Sequence, residues 1–200
     1  KGAKAIILAS TGNMAASCFN PGIISVKNGG VFSNNLVTNY WYNNATIPAT
    51  VIIEPGGEYY TGSSTTSLAP VTEVNGDIRF ARGGTQTIPA ALDTVGGKVI
   101  LSGSGAKTLG GNLTVLDGLS LRGTATLTLG GFTLTYGPDA TLSYGASGQS
   151  SPQITADDEW PAVNGPVNVQ IYNSGGVTLH DNRTINGNLT LTLGTFDNNG

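Results

Sequence analysis

An all-β chain wound as a parallel β-solenoid is what this sequence predicts, and three observations lead there. Short runs carry apolar residues at alternate positions, glycine-rich turns separate them, and one segment repeats without a gap.

The runs include Ile23-Ile24-Ser25-Val26, Thr50-Val51-Ile52-Ile53-Glu54, Asp77-Ile78-Arg79-Phe80, Lys98-Val99-Ile100-Leu101 and Val167-Asn168-Val169-Gln170-Ile171. Helical periodicity is nearly absent. Asn28-Gly29-Gly30, Pro55-Gly56-Gly57, Gly83-Gly84 and Gly96-Gly97 follow the runs closely. Glycine reaches positive φ without steric cost, so such pairs bend the chain sharply.

The repeat aligns Lys107–Leu121 on Val177–Leu191 as T-L-x-x-N-x-T-[VI]-x-x-x-L-[ST]-L. Side chains alternate along a strand. Leu109, Leu113, Val115, Leu119, Leu121, Leu179, Ile185, Leu189 and Leu191 are therefore expected inward, and Thr114, Ser120, Thr184 and Thr190 outward. Asn112 and Asn182 fall between strands and read as corner residues, tolerant of left-handed backbone or bonding neighbouring amides. One such unit cannot bury its apolar face alone, so units stack as coils around a continuous core. Repeats of a β-sandwich are the alternative architecture. Residues 49–200 are assigned to the solenoid, and the less regular 1–48, with Tyr40-Trp41-Tyr42, to an N-terminal cap or assembly region.

Charged residues make up 10% of the chain against about 25% in ordinary soluble proteins, so Thr, Ser and Asn must carry solubility. A hydrophobic share of 38% is too high for a disordered tail and supports a packed core. Net charge −3, with nine scattered Lys and Arg, supplies no basic stripe, so nucleic acid is not an expected partner. No apolar run reaches the roughly 18 residues of a membrane span. The single Cys18 reads as a small buried residue. A start at Lys1 rather than Met fits a processed product or part of a longer polypeptide, and the second repeat copy stops short of the first, so further repeats or head-to-tail copies are expected beyond Gly200.

Gly84–Ala90 and Val99–Val115, together with Glu159–Val169, Gly176–Leu179 and Asn182–Gly187, resemble repeats in large surface proteins of Bacteroidota and related bacteria. The likeness covers about residues 84 to 200, and Val51–Gly57 is similar to related β-helix repeats. In that family such segments build long adhesin-like proteins, predicted to be β-solenoids and often exported by type IX secretion. The resemblance implies a secreted, cell-surface structural or adhesive module, with further repeats, copies of itself or surface glycans as partners.

The chemistry-bearing residues are few. Asp157, Asp158 and Glu159 could do acid/base work or hold Ca²⁺ weakly, yet they lack the Asn-x-Asp, Gly-His-Gly and Arg-x-Lys companions of pectin-degrading β-helix enzymes. A solvated acidic loop is expected. His180, the one histidine, has no second His for a metal and reads as an exposed turn residue. Gly103–Thr108 fails as a phosphate loop, because Ala106 rather than Gly precedes Lys107 and no helix follows. No cofactor is expected. Tyr40, Trp41, Tyr42, Tyr59 and Tyr60 are candidate glycan-stacking aromatics, which keeps a carbohydrate-binding module as the alternative function and a polysaccharide-active enzyme as the third. Thr-rich strands raise ice binding, although Gly, Ser and Tyr interrupt them in sequence. Asp93-Thr94-Val95 resembles the Bacteroidota O-glycosylation site and marks Thr94; sequons at Asn44, Asn112, Asn182 and Asn188 are expected by chance in so Asn- and Thr-rich a chain.

Overall fold

A computed structural model describes residues 4–6, 23–34, 50–62 and 71–199. Cys18, Tyr40, Trp41 and Tyr42 lie outside the described residues. No helix occurs among them, and all strand pairings are parallel. The chain is a β-solenoid of about seven turns.

Three faces make up a coil. The first carries β1 (Lys4–Ile6), β2 (Ile23–Val26), β4 (Thr50–Ile53) and β6 (Val71–Val74), and then, as a separate sheet, β9 (Thr94–Val95), β12 (Leu113–Val115) and β15 (Leu134–Tyr136). The second is one eight-stranded sheet: β3 (Val31–Asn34), β5 (Glu58–Thr61), β7 (Asp77–Phe80), β10 (Lys98–Leu101), β13 (Gly118–Leu121), β16 (Thr141–Gly145), β18 (Asn168–Tyr172) and β20 (Leu189–Leu193). The third carries β8 (Gln86–Ile88), β11 (Ser104–Leu109) and β14 (Thr124–Thr128), followed by the small sheet of β17 (Gln153–Ile154), β19 (Val177–Thr178) and β21 (Phe196–Asp197). Stacking reaches into residues 1–48, because β2 pairs with β4 and β3 with β5.

Register turns alternation into continuous columns. Ile78, Val99, Leu119, Leu142 and Val169 follow one another across the second face, and Phe80, Leu101, Leu121, Tyr144 and Ile171 form the column beside them. All are buried. The expected inward set is buried at Leu109, Leu113, Val115, Leu119, Leu121 and Leu179, while Ile185 is half-buried. Leu189 and Leu191 occupy the inward columns opposite Val169 and Ile171 yet stay exposed, since β20 pairs on one side only. Thr184 and Thr190 are exposed as expected, and Thr114 is half-exposed.

Ser120 corrects the outward set. It points away from the core but is buried, because the Arg122 side chain folds back on it, Nε donating to Ser120 Oγ at 3.1 Å. The corner asparagines also behave unequally. Asn112 accepts the N–H of Thr133 from the next coil at 3.0 Å, whereas Asn182 makes no such bond, and neither has positive φ.

The corner between second and third faces holds the buried Lys107. Its ammonium, inward beneath β11, donates to the carbonyls of Arg82, Gly84 and Ser104 at 2.6, 2.8 and 3.0 Å. Arg82 and Ser104 also accept the N–H of Gly84 there, so the ammonium adds a charge-assisted bond to carbonyls at an irregular corner of the ladder. Glycine is required beside them. Gly103 has φ +79°, and a Cβ there would come within 2.5 Å of the Arg82 carbonyl oxygen.

Leu119→Ala is expected to lower unfolding free energy by about 2–5 kcal/mol. Leu191→Ala, at a half-exposed side chain, should change it by less than about 1 kcal/mol. Urea melts compare the two, and equal losses would show that the columns do not govern stability as argued.

Candidate functional site

Among the described residues the regular three-sided path lacks a first-face strand after β17 and again after β19, and titratable groups gather there. Residues 155–167 replace a first-face strand, and the turn after β19 lies against them. The sequence has no alternation in Ala156–Pro166 to sustain a strand, and its two prolines cannot donate to a ladder. Side chains therefore do the joining.

Glu159 and Trp160 anchor the segment from inside. Trp160 is buried and stacks on Phe196, ring centroids 6.3 Å apart. Glu159, only 2% exposed, accepts the N–H of Ala156 at 2.6 Å and the Tyr144 hydroxyl at 3.1 Å through Oε1, while Tyr136 donates to its backbone carbonyl at 2.6 Å. Burial raises the Glu159 carboxyl to about 7, against the opposing pull of the Ala156 N–H and the Tyr144 hydroxyl. Burial, with the nearby Glu159 second, likewise pushes Tyr136 and Tyr144 well above the usual phenol range.

Outside them sits a clasp centred on His180. Nδ1 is 2.6 Å from Thr155 Oγ1, which also accepts the N–H of residue 180 at 3.0 Å. Nε2 lies 2.6 Å from Arg183 Nη2 and 3.1 Å from Asp157 Oδ1. Guanidinium has donors only. The closer contact thus assigns a bare Nε2 that accepts from Arg183 and an Nδ1–H that donates to Thr155. Arg183 is nearly buried itself, bonds the Trp160 carbonyl at 2.7 Å and pairs with Asp157 and, at 3.4 Å, Asp181. The Asn182 N–H, then Arg183, hold Asp181 below its usual range.

Thr155, His180 and Asp157 superficially match a nucleophile, base and orienting acid. The chemistry runs the other way. A base must offer a bare nitrogen to the hydroxyl proton, whereas here the ring donates to Thr155, whose side chain is buried. The arrangement fastens one coil to the next.

The acidic trio expected as a solvated loop divides three ways. Asp157 is exposed and paired with Arg183, Asp158 accepts from the Leu129 N–H at 3.4 Å, and Glu159 faces the core. Their carboxylates do not converge, and no group of three His, Cys, Asp or Glu suited to a metal occurs among the described residues. His180 is not an exposed turn residue but a half-buried one, its side chain 22% exposed. Among the aromatics, Tyr59 belongs to the core, 2% exposed and stacked on Phe32 at 5.9 Å, while Tyr60 is half-exposed beneath the Arg79 guanidinium. Thr94 is exposed on β9 and, with Val71, Glu73, Leu92 and Leu116, lines a shallow groove of about 230 Å³.

Sequence reasoning missed the burial of Lys107 and of Arg183. Arg183 had a signal: it aligns with the inward Leu113 of the first repeat copy. Burial also shifts Lys107 down to about 8, with the Arg82 charge adding to it. No protein-family model, curated protein or solved structure matches the chain.

A carboxyl raised in the fold binds more protons folded than unfolded between its two pKa values. The Glu159 contribution is thus fully present below about 4.5 and is lost as pH rises through about 7, on the order of 3 kcal/mol in all. Glu159→Gln should flatten stability over that window and be the more stable form at pH 8. Denaturant melts from pH 4 to 8 check this, and a parallel pH profile for both proteins would contradict it.

Proposed function

We propose that this chain is a structural or adhesive module of a secreted bacterial surface stalk or extracellular fibre, and that it works without catalysis. One observation carries the reading: the apolar columns of the second face run from β7 through β18 and emerge on β20, where Leu189 and Leu191 are 42 and 54% exposed. An unpaired parallel edge with its columns in place is the geometry by which coils add to coils. Further repeats or a second copy docked head to tail are the partners that complete it. The resemblance to Bacteroidota surface repeats supports an extracellular location and type IX export. The clasp at His180 supports a non-catalytic role, since its polar groups are spent on joining coils.

A carbohydrate-binding module is the second reading, supported among the described residues by Tyr60 alone. Thr94 fits an O-glycosylated position, because it is exposed, follows Asp93 and borders a groove with room for a first sugar.

Light scattering and electron microscopy on the purified chain are expected to show concentration-dependent association that Leu191→Asp abolishes while circular dichroism stays unchanged. A monodisperse monomer at every concentration would remove the head-to-tail form. Intact-mass analysis of native material should show added sugar that Thr94→Val eliminates; an unmodified mass would remove the glycosylation.

A further inference from the structure

The third face sets out hydroxyl and methyl groups as a lattice. β11 pairs with β8 on one side and β14 on the other without a register break. Thr87, Thr108 and Thr128 therefore stand in one outward column. Ala106 and Thr126 form the next, which Thr85 extends, and Ser104 and Thr124 the third. Between them Gln86, Lys107 and Leu127 are buried inward, so this face owes its outer surface to the hydroxyl residues. Within the outward columns only Ser104 and Ala106 stand in place of threonine.

Two further observations bear on a ligand. None of these hydroxyls has a hydrogen-bond partner among the described residues, so each is open to an external donor or acceptor. No charged side chain stands within the outward columns; the one cation on β11, Lys107, is turned inward onto backbone carbonyls. A charge would impose its own hydration shell, whereas Thr offers one hydroxyl and one methyl on a side chain stiff at χ1.

Neighbouring strands lie ~4.8 Å apart and alternate residues ~6.6 Å apart along a strand. The first spacing is near the shorter oxygen repeat on a prism face of ice, and the second lies within about a tenth of the longer one. A preorganised array of this kind loses little freedom on meeting an equally periodic partner, so weak contacts add. We propose that the face formed by β8, β11 and β14 binds ice, through water molecules ordered on its threonine columns. This goes beyond the structural role above and needs only the array.

The test is ice shaping and thermal hysteresis with the purified full-length chain. Faceted crystals and a measurable hysteresis gap are expected, both lost in Thr108→Lys and in Thr126→Lys. Thr126→Gln, which adds bulk without charge, should also lose them, and it guards against a lysine variant that fails to fold. Thr114→Lys, on the Thr94, Thr114 and Thr135 column of the first face, should keep them. Circular dichroism and melting temperature verify folding in each. Round crystals with no hysteresis in the parent chain would overturn the proposal, as would full activity in the folded Thr108 and Thr126 variants or equal loss in Thr114→Lys. Retention on insoluble chitin or cellulose through the same threonines, without ice shaping, would overturn it in favour of a flat polysaccharide.

Discussion

Everything in this molecule depends on each coil returning to the register of the one before. A parallel strand finds partners for its amides and carbonyls only in the coils on either side, so a slip of one residue would both break the ladder and turn every side chain to the wrong face. The inward columns are the side-chain expression of that constraint. Val99 must meet Leu119 and Leu119 must meet Leu142, whatever the loops between them do. Loop length is accordingly free: Val99 and Leu119 are 20 residues apart, and Leu142 and Val169 are 27 apart.

Polar groups enter the interior at few places, and each is bonded there. Lys107 gathers three carbonyls at a corner, and Glu159 with Arg183 holds a segment that is not a strand. Each burial carries a desolvation cost, expressed in the lowered Lys107 and raised Glu159. In return a non-repeating stretch acquires a defined position.

The same division explains what could be read in the sequence. Lys98–Leu101 was legible from its apolar run and the glycine turn before it, and Gly118–Leu121 because alternation and the repeat coincide there. The solenoid rather than the sandwich followed from the repeat. Ser120 was misjudged because alternation gives the direction of a side chain but not what folds over it, here Arg122. Glu159 and His180 were read from neighbours in sequence, while the Tyr144 partner of Glu159 lies 15 residues away and the Thr155 and Asp157 partners of His180 come from the preceding coil. The candidate site was thus visible as residues and invisible as a constellation. Lys107 was read only as the lysine of a failed phosphate loop, because the carbonyls it meets, of Arg82 and Gly84, belong to the preceding coil.

Because the coils are stacked, the hydrogen bonds of the second face point from one strand to the next, along the direction in which the solenoid grows. Tension applied through the two ends of the chain would meet these bonds a strand at a time and peel the outermost coil while its neighbours stayed wound. A coil of 20 residues, such as that from Val99 to Leu119, would release roughly 70 Å of extended chain on coming free. A solenoid of this construction yields by unreeling in steps, each absorbing work, and the segment pinned by Glu159, Trp160 and Arg183 is where the unreeling would meet a knot.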